Sequence, residues 1–231
     1  MIYVISDLHG IPFALFKKLL EKAKVNKNKD KLFILGDVID RGSDGVKYLQ
    51  WIIRNQDFVE FIIGNHESML LSCDFLFDSK VRKHPEELFG YQLSCYRLWK
   101  SNGARETIAS MKNLTEQENE VILDYLRKAP LYNIVKVNNK EYLLSHSGGS
   151  FETEAFDSMD EHDWLWSRPR SIEEKCKGKT IRVFGHTPVQ YIDEQFSKPI
   201  ITEKWIDIDV GCAFGQLPCL LRLDDLKVFT T

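Results

Sequence analysis

Three short apolar runs, Ile2–Ile5, Leu32–Leu35 and Val59–Ile63, each give way to a glycine-bearing polar loop and then to apolar residues at helical spacing. Unbroken apolar runs of strand length read as strands buried on both faces. In the first round Ser6-Asp-Leu-His-Gly10 ends the strand, and Phe13, Phe16, Leu19, Leu20 and Ala23 then mark a helix with Pro12 in its first turn. In the second, Gly36-Asp-Val-Ile-Asp-Arg-Gly42 precedes a helix over Asp44–Arg54. In the third, Gly64-Asn-His-Glu67 reads as a loop, with a helix beginning near Ser68. Such a succession predicts parallel strands joined by right-handed crossovers. The three loops then share one sheet edge, where open α/β sheets bind ligands.

From Ser72 to Lys128 the chain is rich in Leu, Phe, Tyr and charge without strand-like alternation, which predicts a helical insertion. Thr115-Glu-Gln-Glu118 is a capping box that opens a helix to about Arg127, and Pro130 marks its end. Leu131–Val137 and Glu141–Leu144 flank Asn138-Asn139 as a hairpin that delivers Ser145-His-Ser-Gly-Gly149. A polar stretch with Trp164-Leu-Trp-Ser-Arg168 follows, and the strand Thr180–Phe184 ends in Gly185-His-Thr-Pro188. Ile206–Val210 alternates, and Cys219–Leu223 pairs with Lys227–Thr230 across Asp224-Asp225. This second half is expected to be a mainly antiparallel sheet. At 231 residues, 43% apolar and 28% charged, the chain is expected to form a single domain over 1–231, with the insertion at about 72–128.

A net charge of -3 gives no electrostatic reason to expect nucleic acid or an anionic membrane, so an anionic substrate needs local cations to attract it. The cysteines are odd in number, five, and form no Cys-x-x-Cys pair. Free thiols in a reducing compartment are expected rather than a disulfide framework or zinc cluster. No basic leader precedes Ile2, and no apolar run approaches the ~20 residues of a membrane span. The expected location is the cytoplasm.

The strand-end loops collect Asp7, His9, Asp37, Asn65, His146 and His186. Oxygen and imidazole donors without thiolate favour manganese, iron or zinc. Six donors exceed what one tetrahedral catalytic zinc takes while keeping an open position. Two divalent ions about 3.5–4 Å apart, sharing one carboxylate, fit the count better. Against two aspartates and a hydroxide they would leave about one net positive charge, enough to attract phosphate. An amide rather than a carboxylate at Asn65 preserves that charge. His84 and His162 lack the glycine-flanked strand-end setting and read as ordinary surface histidines.

Asp7-Leu-His-Gly, Gly36-Asp-Val-Ile-Asp-Arg-Gly42, Gly64-Asn-His-Glu67, His146 and Gly185-His186 follow the order and separations of motifs in PPP-type serine/threonine phosphatases. The chain resembles the bacterial and phage members of that group, within the calcineurin-like metallophosphoesterases, over about residues 5–211. The resemblance implies a metallophosphoesterase-type α/β/β/α sandwich with mixed sheets. It implies one metal on Asp7, His9 and Asp37, and a second on Asp37, Asn65, His146 and His186, with Asp37 bridging. Arg41 and, in a Trp-x-Arg stretch, Arg168 would grip phosphate, beside Asn65 and His66. His66 and Asp40 resemble the proton-donating pair: a histidine beside two dications needs a carboxylate to keep its proton. Together these imply a phosphomonoesterase, in which a metal-bridging hydroxide attacks phosphorus in line and His66 protonates the leaving alkoxide. Phosphorylated protein or peptide, or another phosphate ester substrate, is the implied partner.

Ser6 replaces a commoner glycine and Ile63 a common arginine, the latter weakening the case for protein substrates. The nearest alternative is a bis(5'-nucleosyl)-tetraphosphatase of the same superfamily. Those enzymes typically carry alanine where Asp40 stands and aspartate where Glu67 stands. A phosphoanhydride has a good leaving group and needs its acid less, so the Asp40/His66 pair favours esters. A non-catalytic scaffold on this fold would be expected to have lost ligands or the acid, and neither is lost here.

Overall fold

The computed structural model describes residues 1–78 and 89–231. His84 and part of the expected insertion lie outside the described residues. The first three strands are β1 (Ile2–Ile5), β2 (Lys31–Leu35) and β3 (Val59–Ile62), with α1 (Phe13–Lys22) and α2 (Gly45–Ile53) as crossovers. All three strands are parallel, as the sequence predicts. The third loop differs: α3 runs Asn65–Leu71, so Asn65, His66 and Glu67 form a first helical turn instead of a loop. Its start is displaced from Ser68 because the Glu67 carboxylate reaches back to the Gly64 N–H, 3.1 Å away, and caps the helix.

Within the insertion a 3-10 turn, Asp74–Phe77, precedes the described α-helices α4 (Gly90–Ser101), α5 (Arg105–Lys112) and α6 (Glu116–Arg127). The predicted capping box is present, with Thr115 Oγ1 accepting from Glu118 N at 3.2 Å. The hairpin pairs β4 (Tyr132–Val137) with β5 (Lys140–Ser145) around Asn138 and Asn139, both at positive φ. Asparagine tolerates that conformation, which a two-residue turn requires. Then come α7 (Glu161–Trp166), β6 (Ile181–Phe184), α8 (Val189–Ile192), β7 (Ile200–Ile201), β8 (Trp205–Asp207), β9 (Cys219–Arg222) and β10 (Lys227–Thr230).

The expectation of a mainly antiparallel second half is corrected. The second sheet has the order β4-β5-β6-β8-β7, with a parallel centre of β5, β6 and β8 and antiparallel edges. The predicted terminal hairpin forms, but it joins the first sheet, β9 lying antiparallel to β1 in the order β10-β9-β1-β2-β3. Because β5 and β6 run in parallel, His146 and His186 leave their strands at one edge.

Alternation along the strands separates the layers. Tyr3, Ile5, Leu32, Ile34 and Phe61 pack on Phe16, Leu19, Tyr48, Leu49 and Ile52 of the helices. Val4, Phe33, Leu35 and Ile62 point the other way and meet Tyr142, Leu144, Val183 and Ile206 of the second sheet. Each large side chain so buried contributes roughly 1.5–3 kcal/mol, and a one-residue slip would reverse the faces. On the outer face Phe184 and Trp205 pack with Phe151, Val189 and Ile200. This outer layer is thin, made of short helices and loops, because residues 148–179 lack sustained helical spacing of apolar residues. Buried Arg182 lies 5.3 Å from the Phe151 ring centre and donates to the carbonyls of Gly148 and Ser150 at 2.7 and 2.6 Å. It thereby pins the loop that follows His146.

Candidate metal centre and active site

The loops after β1 and β2 extend the strand pairing beyond the sheet. His9 N donates to Asp37 O and Gly10 N to Val38 O, both at 2.9 Å, and Gly42 N returns to His9 O at 2.9 Å. Gly10 and Gly42 meet backbone to backbone, so a Cβ on either would run into the other's carbonyl. Among the described residues ten non-glycine residues have positive φ, and six of them are Asp7, His9, Asp37, Asp40, Arg41 and His186. Backbone strain of this kind concentrates at functional sites, where the surrounding fold imposes it.

The six residues singled out as metal donors come together. Asp37 is central: its Oδ2 is 3.7 Å from His9 Nε2 and its Oδ1 is 3.5 Å from His146 Nε2. His146 Nε2 also lies 2.8 Å from Asn65 Oδ1 and 3.2 Å from His186 Nδ1. Asp7 Oδ1 is 4.0 Å from His9 Nε2, and Asp7 Oδ2 accepts from His186 N at 2.9 Å. The tightest ligand-atom groupings are His9, Asp37 and His66 on one side and Asp37, His146 and His186 on the other. His66 thus stands nearer the first group than Asp7 does.

These donors suit a cation. The Nδ1 atoms of His9 and His146 face the carbonyls of Ile39 and Leu35, at 3.2 and 2.8 Å. A proton kept there for the carbonyl leaves the Nε2 lone pair turned inward. His146 Nε2 then faces the oxygens of Asn65 and Asp37, acceptors against an acceptor, an arrangement relieved by a positive ion between them. His186 Nε2 and Asp207 Oδ2 are buried without a hydrogen-bond partner. Burial, then the nearby cationic groups, hold His9 and His186 well below the usual histidine range, so both are neutral donors near pH 7. Burial pushes the carboxyls of Asp37, Asp207 and Asp209 well up, a cost that a divalent ion would offset.

His66 behaves differently. Its Nδ1 is 2.6 Å from Asp40 Oδ2. Burial opposes the charged ring, but Asp37 and the hydrogen bond to Asp40 outweigh it and raise its pKa. Its shift runs opposite to those of His9 and His186, and the short contact to Asp40 favours the charged form of the ring. Arg41 and Arg168 both line the cleft, with Arg41 Cζ 5.6 Å from the Phe214 ring centre. Arg168 Nη1 donates to His186 O at 3.0 Å, which fixes its guanidinium at the rim. His162 is exposed, as expected of a surface residue.

Sequence reasoning missed several contributors. Glu67 accepts from Asp37 N at 2.8 Å, Val38 N at 3.0 Å, Ile39 N at 3.3 Å and Gly64 N at 3.1 Å, folding the Asp37 loop around one carboxylate. Its place at the third helical position after a glycine was the available signal. Glu67→Gln would put an amide N–H against backbone N–H donors. It is expected to lower stability by roughly 3 kcal/mol, read from the urea midpoint, and to weaken metal retention. Asp207 ends β8 and Asp209 lies just past it; in the sequence both read only as part of an alternating strand. Tyr191 and Phe214, exposed at 71% and 61%, form an aromatic rim that no spacing announced.

Residues 1–215 match the calcineurin-like phosphoesterase family. Serine/threonine-protein phosphatase 1 of Salmonella typhimurium is 24% identical over 225 residues, 96% of this chain and 91% of that protein. The symmetrical bis(5'-nucleosyl)-tetraphosphatase of Chromobacterium violaceum is 29% identical over 147 residues, 64% of this chain and 43% of that enzyme. The alignment spans less than half the length of the first curated relatives the chain matches. In fold the chain is similar to a crystal structure of a proposed diadenosine tetraphosphatase, with a TM-score of 0.65 at 18% identity, covering 100% of this chain and 92% of that one. With its loops converging on an Asp/His/Asn cluster and nearly its whole length matched, the chain belongs to the calcineurin-like phosphoesterase family.

Proposed function

We propose that this chain is a metal-dependent phosphomonoesterase of the serine/threonine phosphatase kind, acting on phosphorylated protein or peptide. The observation that carries the reading is the buried His66/Asp40 pair at 2.6 Å, with the His66 pKa raised. An acid of this kind contributes most where the leaving group is an alkoxide such as serine's.

Asp7, His9 and Asp37 would hold one divalent ion, and Asp37, Asn65, His146 and His186 the other, manganese being favoured over iron or zinc. Bound there, such ions supply Lewis-acid charge for the phosphoryl oxygens and acidify water. Arg41 and Arg168 orient the phosphate from the open side, with Asn65 and His66 at its floor. His66 delivers the proton from Nε2, while Asp40 holds Nδ1 and the ring plane. We read residues 1–231 as one domain with a helical insertion at about 72–128. A reducing cytoplasm is the proposed compartment, supported by five free cysteines. No described helix is long and apolar enough to cross a membrane.

A second reading, hydrolysis of dinucleoside polyphosphates, is favoured by one feature. The rings of Tyr191 and Phe214, 6.2 Å apart, stand beside Arg41 and could stack a base attached to a bound phosphate. Manganese-loaded protein assayed side by side on phosphoserine, phosphothreonine and phosphotyrosine peptides and on diadenosine tetraphosphate decides between them. Preference for the phosphoserine and phosphothreonine peptides is the expected result. Preference for the tetraphosphate by tenfold or more in kcat/KM, about 1.4 kcal/mol, would replace it with the second reading.

A further inference from the structure

We propose that Trp99 and Thr107, supplied by α4 and α5, are positioning residues that hold the Asp40 carboxylate so that His66 presents its proton to the leaving oxygen. The proposal rests on the reading of His66 as the acid and adds two residues from outside the metal-binding loops.

Asp40 is fully buried, at φ 67°. Its Oδ2 accepts from His66 Nδ1 at 2.6 Å and from Trp99 Nε1 at 2.7 Å. Its Oδ1 accepts from Thr107 Oγ1 at 2.6 Å. Thr107 Oγ1 in turn accepts from Asp40 N at 2.9 Å, so one hydroxyl closes a ring across both the backbone and the carboxylate of Asp40. The residue therefore has no freedom to rotate its carboxylate without breaking a hydrogen bond in a dry interior, where a lost partner costs its full desolvation. Between α4 and α5, Gly103 O accepts from Arg41 N at 2.9 Å. A Cβ on Gly103 would press on Arg41 Cγ at 2.7 Å. The helical segment thus sets both the partner of the acid and the arginine that faces phosphate.

A structural role alone would be satisfied by any well-packed buried side chains. Trp99→Phe and Thr107→Val keep most of the volume and delete one donor each. Positioning predicts a loss that depends on the leaving group. Turnover of a phosphoserine peptide should fall about tenfold or more beyond any fall on p-nitrophenyl phosphate, whose leaving group needs little protonation. Thr107→Ser, which keeps the hydroxyl, should restore the wild-type ratio. A readout independent of turnover is the His66 Nδ1 proton, which a short charge-assisted bond moves far downfield in the proton NMR spectrum of the metal-free protein. Both deletions should shift or broaden it, and Thr107→Ser should return it.

Equal losses on the two substrates in both variants, or a resonance that stays in place, overturns the proposal. Should Thr107→Val fail to fold, Trp99→Phe decides the matter by the same two readouts. His66→Asn, run alongside, separates the levels. If it loses both substrates equally, the acid assignment falls and the proposal with it. If it discriminates between substrates while Trp99→Phe and Thr107→Val do not, the positioning role alone is overturned.

Discussion

Asp37→Asn is expected to release at least one of the two proposed metals and to abolish the proposed phosphatase activity on every substrate. The carboxylate turns one oxygen toward His9 and the other toward His146, at 3.7 and 3.5 Å, and among the described His, Cys, Asp and Glu residues Asp37 alone belongs to both ligand-atom groupings. An amide offers one neutral oxygen in place of two charged ones and sets N–H donors against whichever side it turns away from. Loss of an ion worth several kcal/mol to the transition state corresponds to a fall of about 10³-fold or more. Metal content measured by plasma mass spectrometry on the purified variant tests this. Retention of both metals would refute the bridging role, whatever happens to the rate.

His66→Asn is expected to do the opposite, sparing the metals and dividing the substrates. The ring sits beside the Asp37/His9 group but is tied through Nδ1 to Asp40. Removing it should leave metal content near wild type. Activity on an aryl phosphate should stay within about tenfold, while phosphoserine turnover falls by roughly 10²-fold or more, the usual worth of a positioned acid. Steady-state kcat on both substrates, with metal content determined on the same preparation, checks it. Equal losses on the two substrates would remove the acid assignment. A lost metal would instead make His66 a ligand, as its proximity to His9 and Asp37 allows.

Much of this site was legible because its parts sit at strand ends. A short apolar run stopped by glycine is a local signal, and Asp7, His9, Asp37, His146 and His186 each follow an apolar strand into a glycine-bearing loop. The order of strands in the second sheet was not legible. β5 and β6 pair in parallel across an intervening stretch of polar, irregular chain, and no local pattern distinguishes that from an antiparallel neighbour. The start of α3 was misplaced because glycine carries no capping side chain, which left Glu67, three residues on and reaching back to Gly64 N, as the one signal of the helix start. Trp99 and Thr107 were invisible for a different reason: each reads as an ordinary core position of its helix, and its polar atom finds Asp40 only when the helices pack.

The paired-cation account is tested most directly by anomalous diffraction from crystals of manganese-loaded protein. The expected map has two peaks about 3.5–4 Å apart, one on each side of the Asp37 carboxylate. A single peak, or peaks remote from Asp37, would contradict it.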